Sequence, residues 1–159
     1  MKILDRLPIG EQPRTIFVGS EPVTIKRYQI GIWVSINDPT RPFLAILDSG
    51  HSHNFSITES QLQTFAGLEP RHMKFLGTTR LKGERQNQYA ADVRIHHNRP
   101  RTLERDGRSY RLVLDEGISI AREGTIRLPV LGLRAIVRNC LKLTIEGKRR
   151  QVSLRKGWL

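Results

Sequence analysis

An all-β domain with one or two short helices is what this sequence predicts, on three observations. Apolar residues recur mostly at a period of two, turn-forming clusters separate the apolar runs, and only two short segments carry helix signals. The 159 residues suit a single domain, 1–159, with its core at about residues 23–154. A hydrophobic share of 38% beside 26% charged residues is too apolar for a disordered chain, so it folds.

In residues 28–36, Ile30, Ile32, Val34 and Ile36 fall on one face of an extended strand. The polar, Pro-containing stretch 37–42 then reads as a loop leading into the apolar run 43–47, which makes a hairpin ending at Asp48. Thr58 and Gln61 form a capping box opening a helix to about Ala66, stopped by Gly67. A second helix follows Gly132, with Asn139 suited to its end. Further strands are expected over 88–95, 110–114 and 141–145, the last entering a basic C-terminal hairpin and tail, 141–159. The longest loop is expected over 98–107.

No apolar run approaches the ~20 residues of a membrane helix, and no apolar signal segment follows Met1, so the expected address is the cytoplasm with no membrane partner. Cys140 is the only cysteine, which excludes an intramolecular disulfide and agrees with a reducing compartment. Asn54 opens a glycosylation triplet that carries little weight without a secretion signal. The net charge of +12 concentrates from Arg134 onward, where eight basic residues, Arg134 among them, face only Glu146. Such a stripe attracts nucleic acid or acidic partners, but it lacks the interleaved aromatics of a single-strand-binding surface, so nucleic acid is the less favoured partner.

Chemistry concentrates where the run 43–47 delivers Asp48, Ser49 and Gly50. That triplet by itself is ordinary turn chemistry. About eighty residues later an apolar strand reaches Val130, Leu131 and Gly132 and passes into a short helix. The two pieces, in this order, resemble the retropepsin family of aspartic proteases, over roughly residues 30–154. The resemblance implies a retropepsin-like acid protease fold, a closed β-barrel-like single lobe. It implies Asp48 as the catalytic aspartate, Ser49 as a hydroxyl bonded across a subunit interface, and Gly50 as the glycine that lets backbone approach the catalytic water. Val130, Leu131 and Gly132 match the structural element beside that loop.

The implied mechanism needs two carboxylates sharing one proton, and this chain has one Asp in that setting. A homodimer acting on a peptide or protein substrate follows, with water as nucleophile and no cofactor. The resemblance also implies a flap, the hairpin that covers bound peptide, for which residues 73–95 are the candidate, a segment that reads equally well as an ordinary surface hairpin; Gly83 falls near its tip and, like His51, is a cleft candidate. The rival reading is a non-catalytic binding module using the basic surface.

The sequence departs from the retroviral pattern in two linked places: Ser52 stands where an Asp is usual and Leu133 where an Arg pairs with it. Bracing of the site must differ. His51 with His53, and His96 with His97, suggest no metal, because no Cys or Glu completes a zinc spacing. Trp33 and Trp158 are expected to pack.

Overall fold

A computed structural model describes residues 1–157, so Trp158 and the last residue of the basic tail lie outside the described residues. The fold is mostly β. Among the described residues, no helix is long and apolar enough to cross a membrane.

The core begins earlier than expected. Strand β1 (Lys2–Pro8) buries Ile3, Leu4 and Leu7, and the hairpin of β2 (Arg14–Val18) and β3 (Glu21–Ile25) covers Leu44 and Leu128 with Val23 and Ile25. Its alternation is short and interrupted by Arg and Pro, which weakens the sequence signal. Next come β4 (Gly31–Ile36) and β5 (Phe43–Asp48), the expected antiparallel hairpin. Ile32, Val34 and Ile36 enter the main core, whereas Trp33 packs half-buried on the opposite face and donates its indole N–H to Leu103 O at 2.8 Å.

After β6 (Phe55–Thr58) the capping box forms in full. Gln61 N donates to Thr58 Oγ1 at 3.2 Å and Thr58 N to Gln61 Oε1 at 3.0 Å. The turn α1 (Glu59–Gln61) widens through Leu62–Ala66, ends at Gly67, and stacks Phe65 on Phe43 with ring centroids 5.6 Å apart.

Within the flap candidate 73–95 the structure has a shorter hairpin, residues 75–89. Its strands are β7 (Phe75–Leu81) and β8 (Glu84–Tyr89), joined by Lys82 and Gly83, both at positive φ (51° and 80°), the backbone of a two-residue hairpin turn. Strand 88–95 breaks at residues 90–92 because the chain leaves the hairpin there to join the other half of the sheet. Ala90 N bonds back to Lys74 O, and Asp92 N bonds ahead to Asn37 Oδ1.

The remaining strands are β9 (Val93–Asn98), β10 (Arg105–Arg111), β11 (Ile118–Ala121), β12 (Val130–Gly132), β13 (Leu141–Glu146) and β14 (Gln151–Lys156). The loop expected over 98–107 shrinks to 99–104, drawn tight by the Asn98 amide, which donates to the carbonyls of Arg99 and Thr102. The same side chain clamps β1, accepting from Asp5 N at 2.7 Å and donating to Asp5 O at 2.9 Å.

Nine strands form one sheet in the order β10-β9-β4-β5-β12-β6-β11-β8-β7, beside the sheets β1-β14-β13 and β2-β3. The expected closed β-barrel-like lobe is therefore corrected: the sheets are not closed barrels. Closure requires the two terminal strands to pair, but β7 extends outward in the flap hairpin while β10 ends the far side.

Candidate active site

Strand β5 is apolar because it is buried almost throughout, with Phe43, Leu44, Ala45 and Leu47 at most 4% exposed. It surfaces only at its end, where Asp48, Ser49 and Gly50 are all exposed. Asp48 Oδ1 accepts the Gly50 N–H at 2.9 Å, and Asp48 O accepts the His51 N–H at 3.1 Å, so the carboxylate is fixed by its own turn.

The loop that follows is held across the end of β12. This strand runs parallel to β5, pairing Val130 with Ile46, Leu131 with Leu47 and Gly132 with Asp48, and antiparallel to β6 on its other side. It thus fills the slot between two strands that the loop 49–54 joins directly. Gly132 N donates to Asn54 O at 2.9 Å and Leu133 N to His51 O at 2.7 Å. A side chain at Gly132 is excluded, because a Cβ there would collide with the His53 carbonyl oxygen and stand 2.7 Å from that of His51. Val130 and Leu131 hold the strand in place inside the sheet.

Helix α2 (Leu133–Arg138) begins where the loop is clamped. Its Arg134 reaches Asp115 through Nε at 3.3 Å and its terminal nitrogen at 2.7 Å, and Arg138 approaches the same carboxylate at 3.3 Å. From the loop side, Asn54 Nδ2 donates to Asp115 Oδ1 at 3.0 Å. The Arg134 hydrogen bond foremost, then that of Asn54, lowers the Asp115 carboxyl to about 2. Asn139 closes the helix, its amide donating to Ala135 O and Val113 O and accepting from Val113 N.

His51 turns inward and meets the buried Ser56 hydroxyl at 2.7 Å; burial, then the neighbouring His53, lowers its pKa, while the Asp48 charge opposes. His53 points toward the flap, with Nε2 3.1 Å from Thr79 Oγ1 on β7. Lys82 and His51 line one cavity, so the hairpin turn that includes Gly83 lies on the His51 side of the loop. Gly83 itself stands clear, with nothing within 4 Å of the position a Cβ would take.

The structure therefore groups Asp48, Ser49, Gly50, His51 and Gly132, with Gly83 across a gap on the flap. Asn54, Asp115 and Arg134 complete the site and were not anticipated: they meet across 61 and 19 residues, which no local motif records. Asn54 is only 3% exposed, so its glycosylation triplet is a packed loop end. His96 bonds Ser35 at 2.8 Å, remote from the site. Among the described residues, no three His, Cys, Asp or Glu side chains converge as metal ligands. No family model and no curated protein matches the chain.

Proposed function

We propose that the protein is an aspartic endopeptidase of retropepsin type, working as a homodimer. The observation that carries this reading is Asp48 presented, exposed, at the end of a buried strand, on a loop locked over Gly132. A loop of ordinary turn chemistry has no need of such fixation; a carboxylate that must hold a reactive geometry does. The retropepsin resemblance of the two sequence elements gains support from their direct pairing, Gly132 against Asp48.

One carboxylate per chain is half of the machinery. With a second copy across a two-fold axis, the ionised Asp48 takes a proton from water while the protonated one donates to the peptide carbonyl oxygen. The water oxygen bonds the carbonyl carbon, and the tetrahedral adduct releases the amine as the proton returns through the pair. Leu133 and Val137, one helical turn apart on α2 and 41% and 63% exposed, leave apolar surface beside the loop for that partner. Ser49 is exposed at the same edge. The free, exposed Cys140 suits a reducing, cytoplasmic setting.

The rival reading, a binding module holding nucleic acid or an acidic protein on the C-terminal basic stripe, is weakened by how that stripe is spent. Arg134 and Arg138 engage Asp115, Arg150 meets Glu11 at 2.7 Å, and Lys156 donates to Asn139 O at 2.7 Å.

The test is a peptide-library digest with wild type and Asp48→Asn. Wild type should cleave with a bell-shaped pH profile, and the near-isosteric Asn should abolish cleavage with unchanged circular dichroism and dimer mass in sedimentation. Equal activity in the two proteins refutes the reading.

A further inference from the structure

Trp33 stands on the face of β4 opposite the main core, and two adjoining cavities of about 790 and 450 Å³ share it, with Arg105, as a common wall. Each is of a size that holds small ligands. Trp33 pairs with Leu44 near the start of β5, whereas Asp48 ends that strand, and no residue of the loop 49–54 lines either cavity.

The shared wall is a stack. The Arg105 guanidinium lies over the Trp33 indole, 4.4 Å from the ring centroid, and the indole is fixed by its bond to Leu103 O. The larger cavity adds Arg14, and the smaller adds Arg41 with the rings of Phe17 and Phe65. Phe65 is propped by Phe43, whereas Phe17 stands 66% exposed on β2. Among the described residues, none of these three guanidiniums meets a carboxylate; Arg41 donates instead to Thr64 O at 3.3 Å. Glu21 and Glu104 also belong to the lining, but Glu104 is already held by Arg99 at 3.2 Å. The cavities thus keep an excess of positive charge on a chain whose net charge is +12.

We propose that these cavities bind single-stranded nucleic acid, a second function that does not depend on the protease reading. Guanidiniums without carboxylate partners suit phosphates. Rings standing among them suit unstacked bases, which lie on aromatic and guanidinium planes alike. This is the interleaving of cations and aromatics that the C-terminal stripe lacks. It is assembled from β2, β4, β10, the loop 37–42 and the turn Leu62–Ala66, so no single stretch of sequence displays it. An acidic peptide would engage the guanidiniums and leave the rings unused, and a duplex keeps its bases stacked inside the helix. An unpaired strand uses both kinds of group.

Fluorescein-labelled dodecamers of thymidylate, uridylate and glutamate test this by anisotropy at ~0.05 and ~0.15 M salt. Wild type should bind an oligonucleotide saturably and oligoglutamate at least tenfold more weakly; the tighter of the two oligonucleotides identifies the polymer. Phe17→Ala should weaken oligonucleotide binding about tenfold through lost stacking. Arg41→Gln should reduce the slope of log affinity against log salt by about 0.7. Both residues are exposed, and circular dichroism checks that the variants fold. The charge-matched control Arg155→Gln, on the C-terminal hairpin, should bind as wild type, and so should Asp48→Asn. In a Trp158→Phe background the bound strand should quench Trp33 emission. The proposal is overturned by no oligonucleotide binding at the lower salt, by equal binding of oligoglutamate, or by unquenched Trp33 at saturation. Equal weakening by Arg155→Gln and Arg41→Gln overturns it too, since charge alone would then hold the strand.

Discussion

The loop that carries Asp48 and the flap hairpin that faces it are built on opposite principles. Residues 49–54 are tied at both ends and beneath: backbone bonds run from Gly132 to Asn54 and from Leu133 to His51, and Asn54 is anchored through Asp115 to Arg134. The backbone of the hairpin pairs with the rest of the sheet only at its root, where β8 meets β11 through Ile118–Tyr89 and Ser119–Gln88, and beyond that it is held by side chains alone, His53 on Thr79 and Arg122 on Glu84. Nearer its tip, Arg80 stands directly opposite Arg85, a like-charge pair that loosens the ladder. For the peptidase proposed above, a fixed carboxylate and a cover free to move would each have a use.

The sharpest way to break this comparison is to put a methyl group on each region's key glycine. Gly132→Ala drives a Cβ into the backbone of the clamped loop and should lower stability by more than about 2 kcal/mol, with a fall in the urea midpoint. Gly83→Ala meets nothing and bears only its positive φ of 80°, so it should cost about 1 kcal/mol. Equal losses, or a larger one at Gly83, would show that the loop is no more constrained than the flap.

A smaller effect is expected at Asp115. Its carboxyl is held at about 2, below the ordinary 3.8, so the ionised form favours the folded state. The contribution is complete above about pH 4 and fades as pH falls toward 2. The side chain is 37% exposed, and solvent discounts the gain, so Asp115→Asn should cost about 1 kcal/mol near neutrality. Urea titrations of both proteins across that window should converge at the acid end. A gap independent of pH would mean that Asp115 does not brace the loop through its charge.

What could be read in the sequence and what could not follow the same division between local and distant causes. The β4–β5 hairpin, the capping box at Thr58, the short helix after Gly132 and the C-terminal hairpin each rest on residues within one element or its turn, so the pattern carries them. The shape of the sheet does not: β12 lies between β5 and β6 although some seventy residues follow β6 before it, and nothing local announces that insertion. Asp48, Ser49, Gly50 and Gly132 stood out because glycine and a polar triplet ending an apolar run are conspicuous. Asn54 and Asp115 did not, since their chemistry depends on what folding brings beside them. Strand β1 escaped notice for a related reason, its Asp5 and Arg6 interrupting the alternation that buries Ile3, Leu4 and Leu7.

The least costly change should sharpen the comparison most. His53 is the one described side chain of the loop that bonds the hairpin, its Nε2 lying 3.1 Å from Thr79 Oγ1. Removing a single half-exposed hydrogen bond should alter global stability by less than about 1 kcal/mol, so urea unfolding alone would scarcely register it. Amide exchange separates the two regions, because local opening and global unfolding draw on different free energies. In His53→Ala, and equally in Thr79→Val, the amides of β7 and β8 beyond the root should exchange several-fold faster. Those of Gly132 and Leu133, bonded beneath the loop, should keep their wild-type rates. The double variant should add little to either single change, since both remove the same bond. If the loop amides accelerate along with the hairpin, the latch holds both regions and they move as one unit. If neither responds, the hairpin is held by its pairing with β11 and by the Arg122–Glu84 ion pair, and a flap that opens independently of the loop would have to bend nearer Tyr89.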